Sequence, residues 1–473
     1  MRTGMRRLAA ASLMAVGAFS VDSATAADWA RFRGPNGSGV SADEAAIPAE
    51  WSDSKNLQWK AELPGPGSSS PIVVGDRVFV TSWSGYADGG ADEGSLDSLQ
   101  RHLVCLDRKT GKQLWKSTVD AKLPEESYRG MFAENGYASH TPVSDGEIVV
   151  AFFGKSGVYG YDLDGKELWQ ADAGENLDQR GWGSASSPIL FQDKVIVTAS
   201  VESHSVIALD KKTGKQVWKQ EADGFGSTWG TPVVAGSGDD AEIVIGVPYE
   251  VWALNPANGK LKWYCEAMPS NSMCSSVVEK DGVIYGVESG PGGGGSIAIK
   301  SGGKGDVSQS GKLWSGGDRS RIDTPVVHDG LLYYVSSGVV SCIDARTGDR
   351  VYQGRLSGGS AGGRGSAEPA GGPDRGERPD GGGRGGFGGG RSGFGGGRGG
   401  GQDYSSPIIA DGKLIFARRS GDVFVVKLGR EFEQLAVNRF ESGSGDFHAT
   451  PAVSDGQLFI RSSKTLYCVS EAK

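Results

Sequence analysis

Cysteine, methionine and histidine are all scarce in this chain: 473 residues hold five Cys, six Met and five His, and no two Cys are adjacent. So few thiols exclude a disulfide-stapled scaffold, and their spacing offers no paired-thiol metal or haem motif. Beyond the first 20 or so residues no amphipathic helical pattern appears, which removes helical bundles from consideration. Basic charge is in deficit, with 49 Lys and Arg against 57 Asp and Glu, a formal charge of −8. Without a basic stripe in the repeats, no nucleic-acid surface is expected. Long apolar runs are also missing. The one at 8–19 follows Arg2, Arg6 and Arg7 and is too short to span a bilayer. With Ala24, Thr25 and Ala26 behind it, the stretch reads as a signal peptide, 1–27, cut near Ala26 or Ala27, with no Cys there to carry a lipid. The mature chain is expected to be exported, to the periplasm or outside the cell, and to carry no transmembrane segment.

Glycine, by contrast, is abundant, at 77 residues, and the chain repeats itself. A Ser/Thr-Pro step recurs at Ser70-Pro71, Thr141-Pro142, Ser187-Pro188, Thr231-Pro232, Thr324-Pro325, Ser406-Pro407 and Thr450-Pro451. Between the fourth and fifth of these, Ser275-Ser276 stands in the same place without a Pro. Most intervals fall between 44 and 49 residues, while those of 71 and 82 residues carry insertions. A period in the forties made of strands and turns predicts a β-propeller. The expected fold class is therefore all-β, an eight-bladed propeller. Residues 28–54 form an N-terminal extension and 55–473 the ring, interrupted at 357–402 by a Gly/Arg-rich insertion whose composition predicts disorder.

Within each unit, Pro opens the first strand, where its missing N–H is tolerated. Asp-Gly pairs such as Asp329-Gly330 and Asp411-Gly412 suit a tight hairpin. A second signature follows the third strand, best seen from Leu106 through Asp107, Thr110, Gly111 and Lys112 to Trp115. Trp59, Trp115, Trp169, Trp218, Trp263 and Trp314 are expected to dock one blade on the next. Cys105, Cys342 and Cys468 stand where other repeats carry Ala208 or Ala253, which marks them as small buried residues. Cys265 and Cys274 flank one connection, and whether they are bonded is open. The final unit has room for three strands only. Asn56 to Lys60 resembles the missing fourth, so the N-terminal strand should close the last blade and remove an open edge.

This Asp-x-x-Thr-Gly-Lys-x-x-Trp repeat resembles that of quinoprotein-like (PQQ-like) eight-bladed propellers, over about residues 55–471. The opening Asp28-Trp29-Ala30-Arg31-Phe32-Arg33-Gly34-Pro35-Asn36-Gly37 is similar to the start of exported bacterial members. Two groups share the ring. Dehydrogenases of alcohols and sugars hold pyrroloquinoline quinone and Ca²⁺ in the funnel, whereas the periplasmic outer-membrane assembly propeller uses it to bind protein. The dehydrogenase pattern includes a Cys pair in the funnel, which this chain lacks, and Glu134-Asn135 is its best isolated ligand-like pair. No catalytic residue or metal ligand is therefore assigned, and no cofactor, although pyrroloquinoline quinone and Ca²⁺ remain the alternative the resemblance implies. A propeller's function concentrates at its channel mouth. The residues preceding each step supply the candidates: Tyr137, His140, Arg180, Trp182, Trp229, Asn271, Arg319, Arg321, Asp323, Tyr404, Asp446 and His448. Two Trp and three Arg in this set suit a planar or anionic ligand. The leading expectation is a monomeric binding or scaffold module of the cell envelope, with a protein partner or small ligand at the mouth. Carbohydrate or polymer binding through the aromatics is a third class.

Overall fold

The computed structural model describes residues 28–90, 93–128, 136–178, 181–290, 293–359, 402–441 and 445–471. Each step opens the innermost strand of an antiparallel sheet, and eight sheets surround one channel. Blade 1 consists of Ile72–Val74, Arg77–Ser84, Gln100–Asp107 and Gln113–Asp120. Blades 2 to 7 repeat this order, opening with Val143–Ser144, Ile189–Phe191, Val233–Ala235, Val278–Lys280, Val326–His328 and Ile408–Ala410. Blade 8 takes three strands from the C-terminal end, and Leu57–Glu62 pairs antiparallel with Thr465–Val469 as its outer strand. The expected all-β propeller, closed by its N-terminal strand, is thus the observed fold. The signal-peptide assignment and Glu134-Asn135 fall outside the described residues, as does the Gly/Arg-rich assignment apart from 357–359 and 402.

The repeat signature is a device for joining blades. In blade 1, Asp107 accepts the Thr110 amide at 2.8 Å and its hydroxyl at 2.6 Å, which holds the turn. Gly111 follows at φ 71°, and the Trp59 ring lies so close that a Cβ there would sit 2.5 Å from it. The same approach brings Trp115 to Gly165, Trp169 to Gly214, Trp218 to Gly259 and Trp314 to Gly348. Each indole N–H then donates to a carbonyl of the next blade, as Trp59 does to Arg108 at 2.9 Å and Trp169 to Lys211 at 2.8 Å. Within its own blade the Trp stands opposite a small residue: Trp115 faces Cys105, Trp218 faces Ala208 and Trp59 faces Cys468. A larger side chain there would meet the ring, which accounts for buried thiols at a position otherwise given to Ala and Gly.

Blade 4 departs from this rule because the corresponding turn of blade 5 is longer. Gly305–Asp306 adds to blade 4 as a parallel edge beside Trp263, whose N–H donates instead to the Glu242 carboxylate at 2.8 Å. All five cysteines are free thiols, Cys265 and Cys274 among them.

Candidate functional site

The Ser and Thr of the steps do more than start strands. The Ser70 amide donates to the Thr141 hydroxyl oxygen at 2.9 Å, Thr141 to Ser187 at 3.0 Å, and Ser187 to Thr231 at 3.0 Å. Thr231 donates to Ser276 at 2.9 Å, Ser276 to Thr324 at 3.0 Å, and Thr324 to Ser406 at 2.9 Å. Ser406 donates to Thr450 at 2.9 Å, and Thr450 returns to Ser70 at 3.1 Å. Eight amides and eight hydroxyls form a closed belt around the channel. Blade 5, which has no Pro at its opening, keeps the hydroxyl. Its belt member is Ser276, while Ser275 turns into the blade and donates to Val287 O at 2.6 Å. The hydroxyl is therefore the indispensable part of the motif, because each one satisfies a buried amide of the preceding blade.

One end of the channel is closed by the N-terminal extension. Trp29 exchanges backbone bonds with Val73 in blade 1, Ala30 accepts from Ser144 in blade 2, and Asn36 brackets Val234 in blade 4. Gly39 and Ser41 bond Ile409 in blade 7. Between these anchors Phe32 faces the cavity, while Arg33 is wholly buried and donates to Thr324 O at 3.2 Å, Pro325 O at 2.7 Å and Pro407 O at 2.8 Å. Its charge rests on carbonyl dipoles, and desolvation lowers its pKa to about 9 against the raising influence of Asp323. Arg31 donates in the same way to Pro232 O at 2.8 Å.

What is left is a blind funnel of about 140 Å³, and its lining follows strand alternation. The belt residues line its wall. Two positions earlier in each unit come Ser68, Ser139, Ala185, Trp229, Cys274, Ile322, Tyr404 and His448, which all line the mouth, with Trp182 and Ser184 beside them. The intervening residues turn into the blades. There Ser69 accepts the Thr81 amide at 2.9 Å and Asp323 the Val335 amide at 2.9 Å.

Of the twelve candidate residues, Trp182, Trp229, Tyr404 and His448 line the funnel. Trp182 and Trp229 meet at 5.6 Å between ring centroids, inclined by 45°, and the Trp229 N–H is held by Gly183 O at 2.8 Å. Tyr404 lies 4.9 Å from His448. Asp323 is buried, held by Ser320 as well as Val335, and desolvation pushes its pKa up to about 6. His140 is buried against Phe152 with Nε2 3.1 Å from the Ser184 hydroxyl, and burial lowers its pKa to about 3. Ser184 in turn donates to Glu202, whose pKa burial raises to about 7. Tyr137 stacks on Tyr128 at 4.4 Å and donates to Glu126 O at 2.8 Å. Asp446 pairs with Arg419 at 2.7 Å. Asn271 and Arg319 are exposed, Arg321 is half-buried, and none of the three lines the funnel. Arg180 falls outside the described residues. The other mouth positions and the plugging Phe32 and Arg33 escape a reading that takes every residue before a step. Period-two alternation, counted back from the hydroxyl, is the signal that separates them.

The Ca²⁺ of the dehydrogenase group finds no matching ligand set among the described residues. A hard cation needs several converging oxygens, carboxylates above all. Among the described residues, no group of three or more His, Cys, Asp and Glu is placed to hold a metal, and no carboxylate lines the funnel.

Eight blades, seven of four strands and one with an added fifth, around a hydroxyl-belted channel define a β-propeller of the PQQ-like repeat class. The chain belongs to the family described as outer membrane protein assembly factor BamB, whose model matches residues 56–201 and 154–367. It is similar to the outer membrane protein assembly factor BamB of Burkholderia pseudomallei, 27% identical over 162 residues, 34% of this chain and 32% of that protein. A polyvinylalcohol dehydrogenase from a Pseudomonas species is 25% identical over 226 residues, 34% of this chain and 35% of the relative. The matches thus span about a third of these curated relatives. Among solved structures, BamB from Moraxella catarrhalis superposes with a TM-score of 0.56 at 12% identity, covering 88% of this chain and 97% of the other. A europium-containing methanol dehydrogenase gives 0.53 at 12% identity, with 94% and 98% covered. At such identities the structural likeness speaks for the fold alone.

Proposed function

We propose that this protein is an exported binding module of the bacterial envelope that engages its ligand or partner at the open mouth of the funnel. The supporting observation is the lining itself: hydroxyls and aromatic rings, without a carboxylate, a lysine or an arginine among its described residues. Such a surface recognises its ligand by shape and hydrogen bonding. The kinship with an outer membrane assembly factor is consistent with an envelope role.

The alternative is a quinone-dependent alcohol or sugar dehydrogenase, favoured by the likeness to polyvinylalcohol dehydrogenases. Titrating the purified protein with pyrroloquinoline quinone and Ca²⁺, then adding alcohols or sugars with a redox dye, separates the two. The binding-module reading expects neither a saturable quinone spectrum nor dye reduction; stoichiometric quinone with substrate-dependent reduction would replace it by the dehydrogenase.

A further inference from the structure

The funnel mouth is two-sided. Going round the ring, Trp182 and Ala185 at blade 3, Trp229 at blade 4, Ile322 at blade 6 and Tyr404 at blade 7 form an arc of aromatic and aliphatic faces. Cys274, at blade 5, lies within this arc. The rest of the circle, His448 at blade 8, Ser68 at blade 1, Ser139 at blade 2 and the nearby Ser184, is polar. Trp182, Trp229 and Tyr404 are half-buried, so their rings are partly open to a ligand.

Below this mouth lies the belt. Among the described residues, each of its hydroxyl oxygens accepts one backbone amide and makes no further bond to the protein. A hydroxyl has one proton and two lone pairs, so each belt member keeps a donor and an acceptor for the channel. An anion would call for donors alone with a cation near, and a cation for acceptors alone. The described lining carries no Asp, Glu, Lys or Arg. The complementary ligand is one whose own groups both donate and accept, and which also presents an apolar face.

We infer that the funnel binds a neutral saccharide, a sugar ring whose C–H face rests on Trp182, Trp229 and Tyr404. Its hydroxyls turn toward Ser68, Ser139, Ser184 and the belt. Inclination of the two indoles by 45° gives the ring a corner to seat in rather than a flat slot. The Gly183 carbonyl fixes the Trp229 ring by its N–H, so the face is set before a ligand arrives. This inference rests on the binding-module reading and names the ligand class for the same mouth.

Fluorescence and calorimetric titration of the full chain with maltotriose, cellotriose and the trimer of N-acetylglucosamine tests it. At least one trisaccharide should bind saturably and change tryptophan emission. Trp182→Ala and Tyr404→Ala should each weaken that binding at least tenfold with the melting temperature unchanged. Should either variant fail to fold, Ser139→Ala serves in its place, with a loss of at least threefold expected. Failure of all three sugars to bind the folded protein overturns the inference, as does preferential binding of citrate or phosphate, or of a peptide, at the same mouth. Quinone-dependent dye reduction would overturn the binding-module reading itself, whereas silence toward sugars leaves that reading standing.

Discussion

At the scale of single residues, the belt explains why Ser or Thr persists at the step even where Pro does not. Thr231 illustrates its energetics: the hydroxyl oxygen accepts the Ser187 amide at 3.0 Å in a buried setting. Thr231→Val keeps the shape but orphans that amide, and should cost about 1–3 kcal/mol in urea unfolding, while Thr231→Ser should be nearly neutral. Gly111→Ala combines a left-handed backbone at φ 71° with a Cβ pressed into the Trp59 ring. Overpacking of this kind should cost about 1–3 kcal/mol, to which backbone strain adds, measured as a lowered unfolding midpoint. Glu202 predicts a pH dependence. Its carboxyl is raised from 4.5 to about 7 by burial, so the unfolded chain releases a proton at a pH where the folded one still holds it. Stability from this group is therefore full below about pH 4.5 and declines as pH rises toward 7. His140, lowered from 6.5 to about 3, acts in the opposite sense and loses stability as pH falls through that window. Glu202→Gln should flatten the loss on the neutral side and leave the acid limb in place, as read by unfolding midpoints across pH 4 to 8.

The elements most legible in the sequence are those whose local chemistry repeats. The Asp-x-x-Thr-Gly-Lys turn bears its own mechanism, in the Asp107 carboxylate and the Gly111 backbone, and Leu57–Glu62 shows the same Trp-bearing pattern as Gln113–Asp120. Both can be found without coordinates. Trp59→Ala removes a large ring from the blade 8 to blade 1 junction and should cost about 3–5 kcal/mol. Deleting 55–62 should destabilise the whole ring by exposing the edge of Thr465–Val469, visible as a broad early melt; a silent deletion would refute closure by this strand. The extension is harder to read. Nothing in the spacing of its residues says that Phe32 and Arg33 enter the channel, because the blade carbonyls that hold Arg31 and Arg33 lie 201 to 374 positions away. Backbone carbonyls leave no mark in a sequence. The candidate site shares this difficulty: Asp323 and His140 look like functional residues, and a shift of one position along a strand turns both into the blades. Trp229, Tyr404 and His448 differ from them only in parity.

At the scale of the whole molecule, the ring, its belt and its plug divide the labour. Indoles seated on turn glycines join blades at the rim, hydroxyls join them at the axis, and the extension staples blades 1, 2, 4 and 7 across the closed end. Arg33 bonds the openings of blades 6 and 7, the pair separated in sequence by the Gly/Arg-rich stretch, and so ties together neighbours with the longest connection between them. Among the described residues the rim, the axis and the closed end carry these joining contacts, which leaves the open mouth as the place for the proposed binding function. Its most direct test is retention of envelope extract by the immobilised full-length protein, compared with a folded Trp182→Ala/Tyr404→Ala double variant. The account predicts that specific retention is lost in the double variant and kept in Lys109→Ala, which alters a rim turn. Equal retention by all three proteins would contradict it.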